Sequence, residues 1–211
     1  MAADPANQLS ISGNACGPTA LLNALRFGSA DYQQAAAAIP GPTDRSKLHH
    51  VITRYGNRWS QHIPQRRRWS RRGINAADLT DVACELAGPA PSVRMIIPQD
   101  PRVIEHSYQA VARSLRRGFP PIAGIRRYDG AKTIESHFIT IIQVPDTLAP
   151  GAQEFSIRYI DPMGGKQCQG MIRARQRETF TELTAELPQT PIGAAQASAS
   201  SYLKMDSIIV R

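Results

Sequence analysis

Hydrophobic residues change their spacing along this chain. In the first 118 residues they cluster as helices require, and from Phe119 onward they fall in runs that suit strands. Gly17-Pro18-Thr19 opens the apolar run ALLNALRFG, which predicts a buried helix closed by Gly28, in the left-handed conformation that suits a helix end. SADYQQAAAAIPG predicts a second short helix, with Ser29 as its cap and Pro40-Gly41 as its stop. A third helix is expected around Ser46 to Tyr55. Asn75 with Asp78 three residues on resembles a capping pair, and Leu79, Val82, Ala83 and Leu86 follow at helical spacing up to Gly88. Asp100-Pro101 reads as the start of another helix. Its apolar stripe is Val103, Ile104, Tyr108, Val111 and Leu115, and Gly118 ends it.

Beyond that glycine, FPPIAGIRRY, TIESHFITIIQV and EFSIRYIDP are rich in β-branched and aromatic residues and are separated by turn material. They read as consecutive antiparallel strands. A further helix is expected from Glu178 to Leu187, PQTPIGAAQASAS reads as a low-complexity loop, and SYLKMDSIIV as a last strand. Helices come first and strands second, without regular alternation. That order predicts a single α+β domain over 1–211, with a helical half at about 14–118 and a sheet half at about 119–211.

Charge adds one feature to this picture. From Arg45 to Arg72 there are nine Lys or Arg and no Asp or Glu. Removing those nine from the 25 basic residues leaves 16 against 17 acidic ones, so the net charge of +8 belongs to this segment alone. It reads as a basic insertion of about 45–72 that fits either an anionic partner or a solvated surface. Trp59 and Trp69 within it suit base stacking, or equally pinning the insertion to the body. No apolar run is long enough to span a membrane. The start, MAADPANQ, lacks the charged and apolar regions of a signal peptide. Read as a mature N-terminus with an added Met, it would make the protein secreted or periplasmic.

Cys16, Cys84 and Cys168 are the three cysteines, too few and too irregularly spaced for a zinc knuckle or a disulfide framework. One disulfide between Cys84 and Cys168 stays open. His49, His50 and His62 lack an HExxH pattern or a carboxylate at useful spacing, so the sequence assigns no metal.

Cys16 sits where a turn meets a helix start. Unpaired N–H groups and partial positive charge at that end favour a thiolate and suit an oxyanion. A small buried apolar role fits the same position equally well. His137 lies on a strand among Phe138, Ile139 and Ile141, and Asp161 ends the next strand before Pro162. Each has an ordinary reading, as a core histidine and a turn aspartate. Taken together, adjacent antiparallel strands can set Asp161 beside one nitrogen of His137 and leave the other for Cys16. Cys168, in GGKQCQG, reads as an exposed loop thiol and the rival nucleophile, whereas Cys84 reads as core.

The blocks NACGPTALLNAL, LRRGFPPIAGI, SHFITII and YIDPMGG resemble, in that order, the papain-like cysteine peptidases of the bacteriocin-processing type. These domains remove double-glycine leader peptides in ABC exporters, and they have stand-alone relatives. The CG followed by LLNAL is also similar to the phytochelatin synthases. The resemblance covers residues 8 to about 165. It implies an α+β papain-like cysteine protease fold, with an N-terminal helical half packed against a C-terminal antiparallel sheet. It further implies a hydrolase of peptide or isopeptide bonds with Cys16 as nucleophile, His137 as base and Asp161 as orienter. The substrate would be a peptide or protein and no cofactor is needed. Acyl transfer on the same triad, or peptide binding without catalysis, are the alternatives. Such families place an oxyanion-hole glutamine six residues before the cysteine, where this chain has Ser10. Gln8 and Asn14 are the amides available to replace it.

Overall fold

The computed structural model of the protein describes residues 3–10, 14–88, 93–99, 102–194 and 200–211. The helical part opens with α1 (Cys16–Arg26), α2 (Ala30–Ala38) and α3 (Asp44–Val51). A short ribbon of β1 (Trp69–Ser70) and β2 (Gly73–Ile74) precedes α4 (Ala76–Ala87). Then come β3 (Arg94–Ile96) and α5 (Val103–Arg116). The rest of the chain is β4 (Ile122–Asp129), β5 (Lys132–Gln143), β6 (Glu154–Asp161), β7 (Lys166–Gln176), β8 (Thr181–Glu186), the single turn α6 (Pro191–Ala194) and β9 (Ser201–Val210).

The expected fold is corrected here. The strands do not form a sheet with a helical half laid on it. They run antiparallel in the order β4-β5-β6-β7-β8, and β9 pairs with both β4 and β8, which closes a six-stranded barrel. β3 adds to the free end of β9. Two segments account for the difference. Residues 167–170, expected as a loop, lie inside β7, and the helix expected from Glu178 to Leu187 is β8.

β7 alternates as a barrel strand must, with Cys168 and Ile172 inward and Gln169 and Arg173 outward. Its polar outward residues hid that alternation. In β8 the helix formers Glu and Ala are overruled by cross-strand pairing. The buried Glu182 is held by Arg177 at 2.5 Å and Lys204 at 3.1 Å.

Two apolar clusters result. Ile125, Ile139, Ile141, Tyr159, Ile172 and Leu203 fill the barrel, and α5 adds Val103, Tyr108 and Val111 to them. The second cluster joins Leu21, Leu22 and Leu25 of α1 to Leu48, Leu79 and Phe119, and reaches Phe138 on β5. Cys84 packs against the second cluster and Cys168 lies in the first, so the open disulfide is not formed and all three cysteines are free.

Most expected helix ends hold. Asn75 accepts from the Asp78 N–H at 2.9 Å and caps α4, and Ser29 is the residue before α2. The helix expected around Ser46 starts earlier, at Asp44, because Thr43 and Ser46 form a capping box. The Asp100-Pro101 start lies outside the described residues. Gly28 does not take the left-handed conformation expected of it. Its missing side chain serves close approach instead, since a Cβ there would stand 2.8 Å from the Gly118 carbonyl oxygen.

Candidate active site

The first residue of α1 is Cys16, and two contacts fix where that helix end lies. Thr140 on β5 donates its hydroxyl to the Ala20 carbonyl at 2.8 Å, which holds α1 along the strand. Gly17, expected as turn chemistry, is inside the first helical turn. A Cβ on it would lie 2.5 Å from Ile74 Cγ2 and 3.4 Å from Phe138. Gly17→Ala is therefore expected to push the helix end away from Ile74 of the β1–β2 ribbon at a cost of about 1–3 kcal/mol. Thermal unfolding measures it, and an unchanged melting temperature would contradict the close approach.

His137 and Asp161 meet because of strand register. Thr140 pairs with Ile160 and Ile141 with Tyr159. Asp161 therefore comes opposite Ile139, and His137, two residues further, shares its face as a diagonal neighbour. The Asp161 Oδ1 lies 2.7 Å from His137 Nε2, and the Met163 N–H donates to the same oxygen at 2.9 Å. Both side chains are buried. With Nε2 turned to Asp161, Nδ1 is the nitrogen left for the sulfur, and Cys16 is close enough to influence the charge on the ring. Burial opposes a charge on His137, but the hydrogen bond to Asp161 and the nearby Cys16 together outweigh it and raise its pKa to about 9. The ring is thus an imidazolium at neutral pH.

Both candidate amides are at this place. Asn14 is 3.0 Å from the Cys16 sulfur through its side-chain oxygen. Gln8 is buried, and its backbone N–H donates to the Pro162 carbonyl at 2.8 Å. Its side-chain oxygen has no partner among the described residues. An amide is nearly symmetric in shape, so either side chain turned over offers an N–H at the same point.

What brings Gln8 here is a pair of asparagines that the sequence reading did not single out. Asn23, fully buried in α1, accepts from the Ala6 N–H at 2.6 Å and donates to its carbonyl at 3.3 Å. Asn7 accepts from the Gly164 N–H at 3.2 Å. The N-terminal segment is thereby laced across α1 to the turn after Asp161. One polar residue inside an otherwise apolar helix was the available signal.

Two hollows flank His137. One, of about 520 Å³, is bordered by Gln8, Asn14, Arg72, Ile134 and Met163. The other, of about 180 Å³, is bordered by Arg66, Arg72, Ile74, Arg126 and Ser207. A larger cavity, about 1040 Å³ between α5 and residues 146–153, contains none of these groups. Cys168 is buried within β7, not exposed in a loop, and burial pushes its thiol up, which removes it as a rival nucleophile. Cys84 is likewise raised by burial and donates to the Val93 carbonyl at 3.2 Å.

Of the histidines the sequence left aside, His62 stands 3.1 Å from Asp81 Oδ2. With Asp78 it forms a group whose ligand atoms lie within 4.8 Å of one another. Arg68 reaches the same Asp81 oxygen at 3.5 Å, so the group is already partly neutralised without a cation. Among the described residues no helix is long and apolar enough to cross a membrane. No family model, curated protein or solved structure matches the chain, so the chemistry has to be argued from the site itself.

Proposed function

We propose that this protein is a cysteine hydrolase of peptide or isopeptide bonds, with Cys16 as nucleophile, His137 as acid and base, and Asp161 as orienter. The observation that carries the reading is the buried His137 ring, shared between Asp161 at 2.7 Å and the Cys16 thiol at the start of α1. A histidine oriented by a carboxylate and set beside a thiol is placed to take the proton that the thiol must lose.

The sulfur attacks the scissile carbonyl carbon and an oxyanion forms. The free N–H groups of the first turn of α1, with the amide of Gln8 or Asn14, stabilise it. His137 passes its proton to the leaving nitrogen, the C–N bond breaks, and a thioester remains on Cys16. Water attacks the thioester while His137 takes its proton, and the acid leaves. An amine in place of water turns the same site into an acyltransferase.

Labelling with iodoacetamide, followed by peptide mass spectrometry, tests the pair. At neutral pH Cys16 is expected to label much faster than Cys168, and His137→Ala is expected to remove that advantage. Equal rates for the two thiols, or indifference to His137, would sink the pairing. Cleavage is read separately by digesting a peptide library. New N-termini should appear with the wild type and not with Cys16→Ala.

A further inference from the structure

The nine cations of the basic insertion do not act as one patch. Lys47 donates to the carbonyls of Ala36, Ala37 and Ile39, at the end of α2. Arg58 and the buried Arg68 hold Glu85 of α4, and Arg68 also reaches Asp81. Arg67 covers the ring of Trp59 at 3.8 Å. Trp69 donates to the Asn14 carbonyl at 3.1 Å, so the insertion is pinned to the loop that precedes the nucleophile. That contact carries its last residues to the cleft.

Arg72 borders both hollows beside His137, and Arg66 borders the smaller one. The carboxylates on the same walls are already matched. Glu135 pairs with Arg127 at 3.4 Å and Asp206 with Arg126 at 2.5 Å. Among the described residues the Arg66 guanidinium makes only long contacts, at 3.5 Å, to the Ser70 hydroxyl and the Gly73 carbonyl. The exposed Arg72 guanidinium has no hydrogen bond or ion pair among the described residues. Two guanidinium groups with no carboxylate partner among the described residues therefore border the hollows beside His137.

Resting on the hydrolase reading above, we infer that the substrate carries a carboxylate next to the scissile carbonyl, bound by Arg72 and Arg66. Guanidinium suits this task because its planar fork meets a carboxylate with two parallel hydrogen bonds. A partly enclosed cleft strengthens the attraction above its value in open water. Ile134, exposed on the rim of the larger hollow, offers an apolar contact beside the charged one. The carboxylate is either an acidic side chain or a free C-terminus, and both present the same group.

Three small alkylating probes separate these cases. N-bromoacetyl-glutamine amide is neutral, N-bromoacetyl-glutamate amide carries a side-chain acid, and N-bromoacetyl-glutamine carries a terminal acid. Alkylation of Cys16 is followed by peptide mass spectrometry in wild type and in Arg66→Gln/Arg72→Gln. One acidic probe is expected to react about tenfold faster than the neutral one. The double variant should lose that preference while keeping its rate with the neutral probe, and 0.5 M salt should shrink it. Whichever acid wins identifies the source of the carboxylate. If Cys16 labels quickly and depends on His137 but shows no preference for either acid, the inference is wrong and the hydrolase reading stands. If Cys16 labels no faster than Cys168 with any probe, both fall together.

Discussion

Asp161→Ala is expected to slow acylation of Cys16 by about 10⁴-fold, whereas Asp161→Asn, which keeps an acceptor oxygen, costs less and also shifts the pH profile. The difference comes from what Oδ1 does. That one oxygen receives both the Met163 N–H and His137 Nε2. Asparagine keeps an acceptor there, so the ring keeps its orientation and its Nδ1 still faces the sulfur. What it removes is the negative charge that helps hold the proton on His137. The alkaline limb of the profile, set by His137 at about 9 in the wild type, should then move to lower pH. Alanine removes charge and orientation together, and leaves the Met163 N–H without its acceptor. Turnover against pH for the three proteins decides the matter. Equal losses in the two variants with an unmoved limb would mean that Asp161 neither orients the ring nor holds its proton.

The same pair makes stability depend on pH. His137 has an ordinary pKa of 6.5 in an unfolded chain and about 9 when folded. A raised pKa stabilises the fold where the group is protonated in both states. The contribution is therefore whole below pH 6.5 and is lost as pH rises through about 9. Its size is at most about 3 kcal/mol, which for a chain of this length is a fall of roughly 5–10 °C in melting temperature. Cys84, Cys168 and Tyr32 are also pushed up by burial, and their ionisation favours the unfolded chain at high pH. The quantity to measure is therefore the difference between wild type and His137→Gln across pH 6 to 10. A constant difference would show that the proton on His137 contributes nothing to the fold.

What could be read in the sequence was local. The Asn75 cap, the apolar helix after Cys16 and the strands holding His137 and Asp161 each depend on residues within a few positions, and each stands where its pattern put it. Closure was not local. β7 and β8 are strands because they pair with β6 and β9: β7 alternates only weakly, through the small residues Cys168, Gly170 and Ala174 around Ile172, and β8 has no apolar alternation. Glu182 shows why. In isolation it is a helix former, and it becomes a buried strand residue only because Arg177 and Lys204 converge on it. The site was legible as a set of residue types, since a cysteine at a helix start and a histidine and aspartate on neighbouring strands are patterns of position. The lacing by Asn7 and Asn23, and the placing of Lys47, Arg58 and Arg68 as braces while Arg66 and Arg72 border the hollows, depend on tertiary placement.

Closure through β9 also sets the order in which the molecule can assemble. Ile122 pairs with Ile209 and Asp129 with Ser201, partners more than 70 positions apart. Such pairings must pay the entropy of closing a long loop before they return anything, which slows folding. Until Ser201–Val210 docks, β3, β4 and β8 each present an unpaired edge. These are open templates for another chain. During synthesis β5 and β6, and with them His137 and Asp161, emerge well before the strand that locks the barrel. His137 and Asp161 are therefore exposed early in a half-built sheet and gain a rigid frame last. A chain that stops short of residue 201 should accumulate as sticky, inactive material.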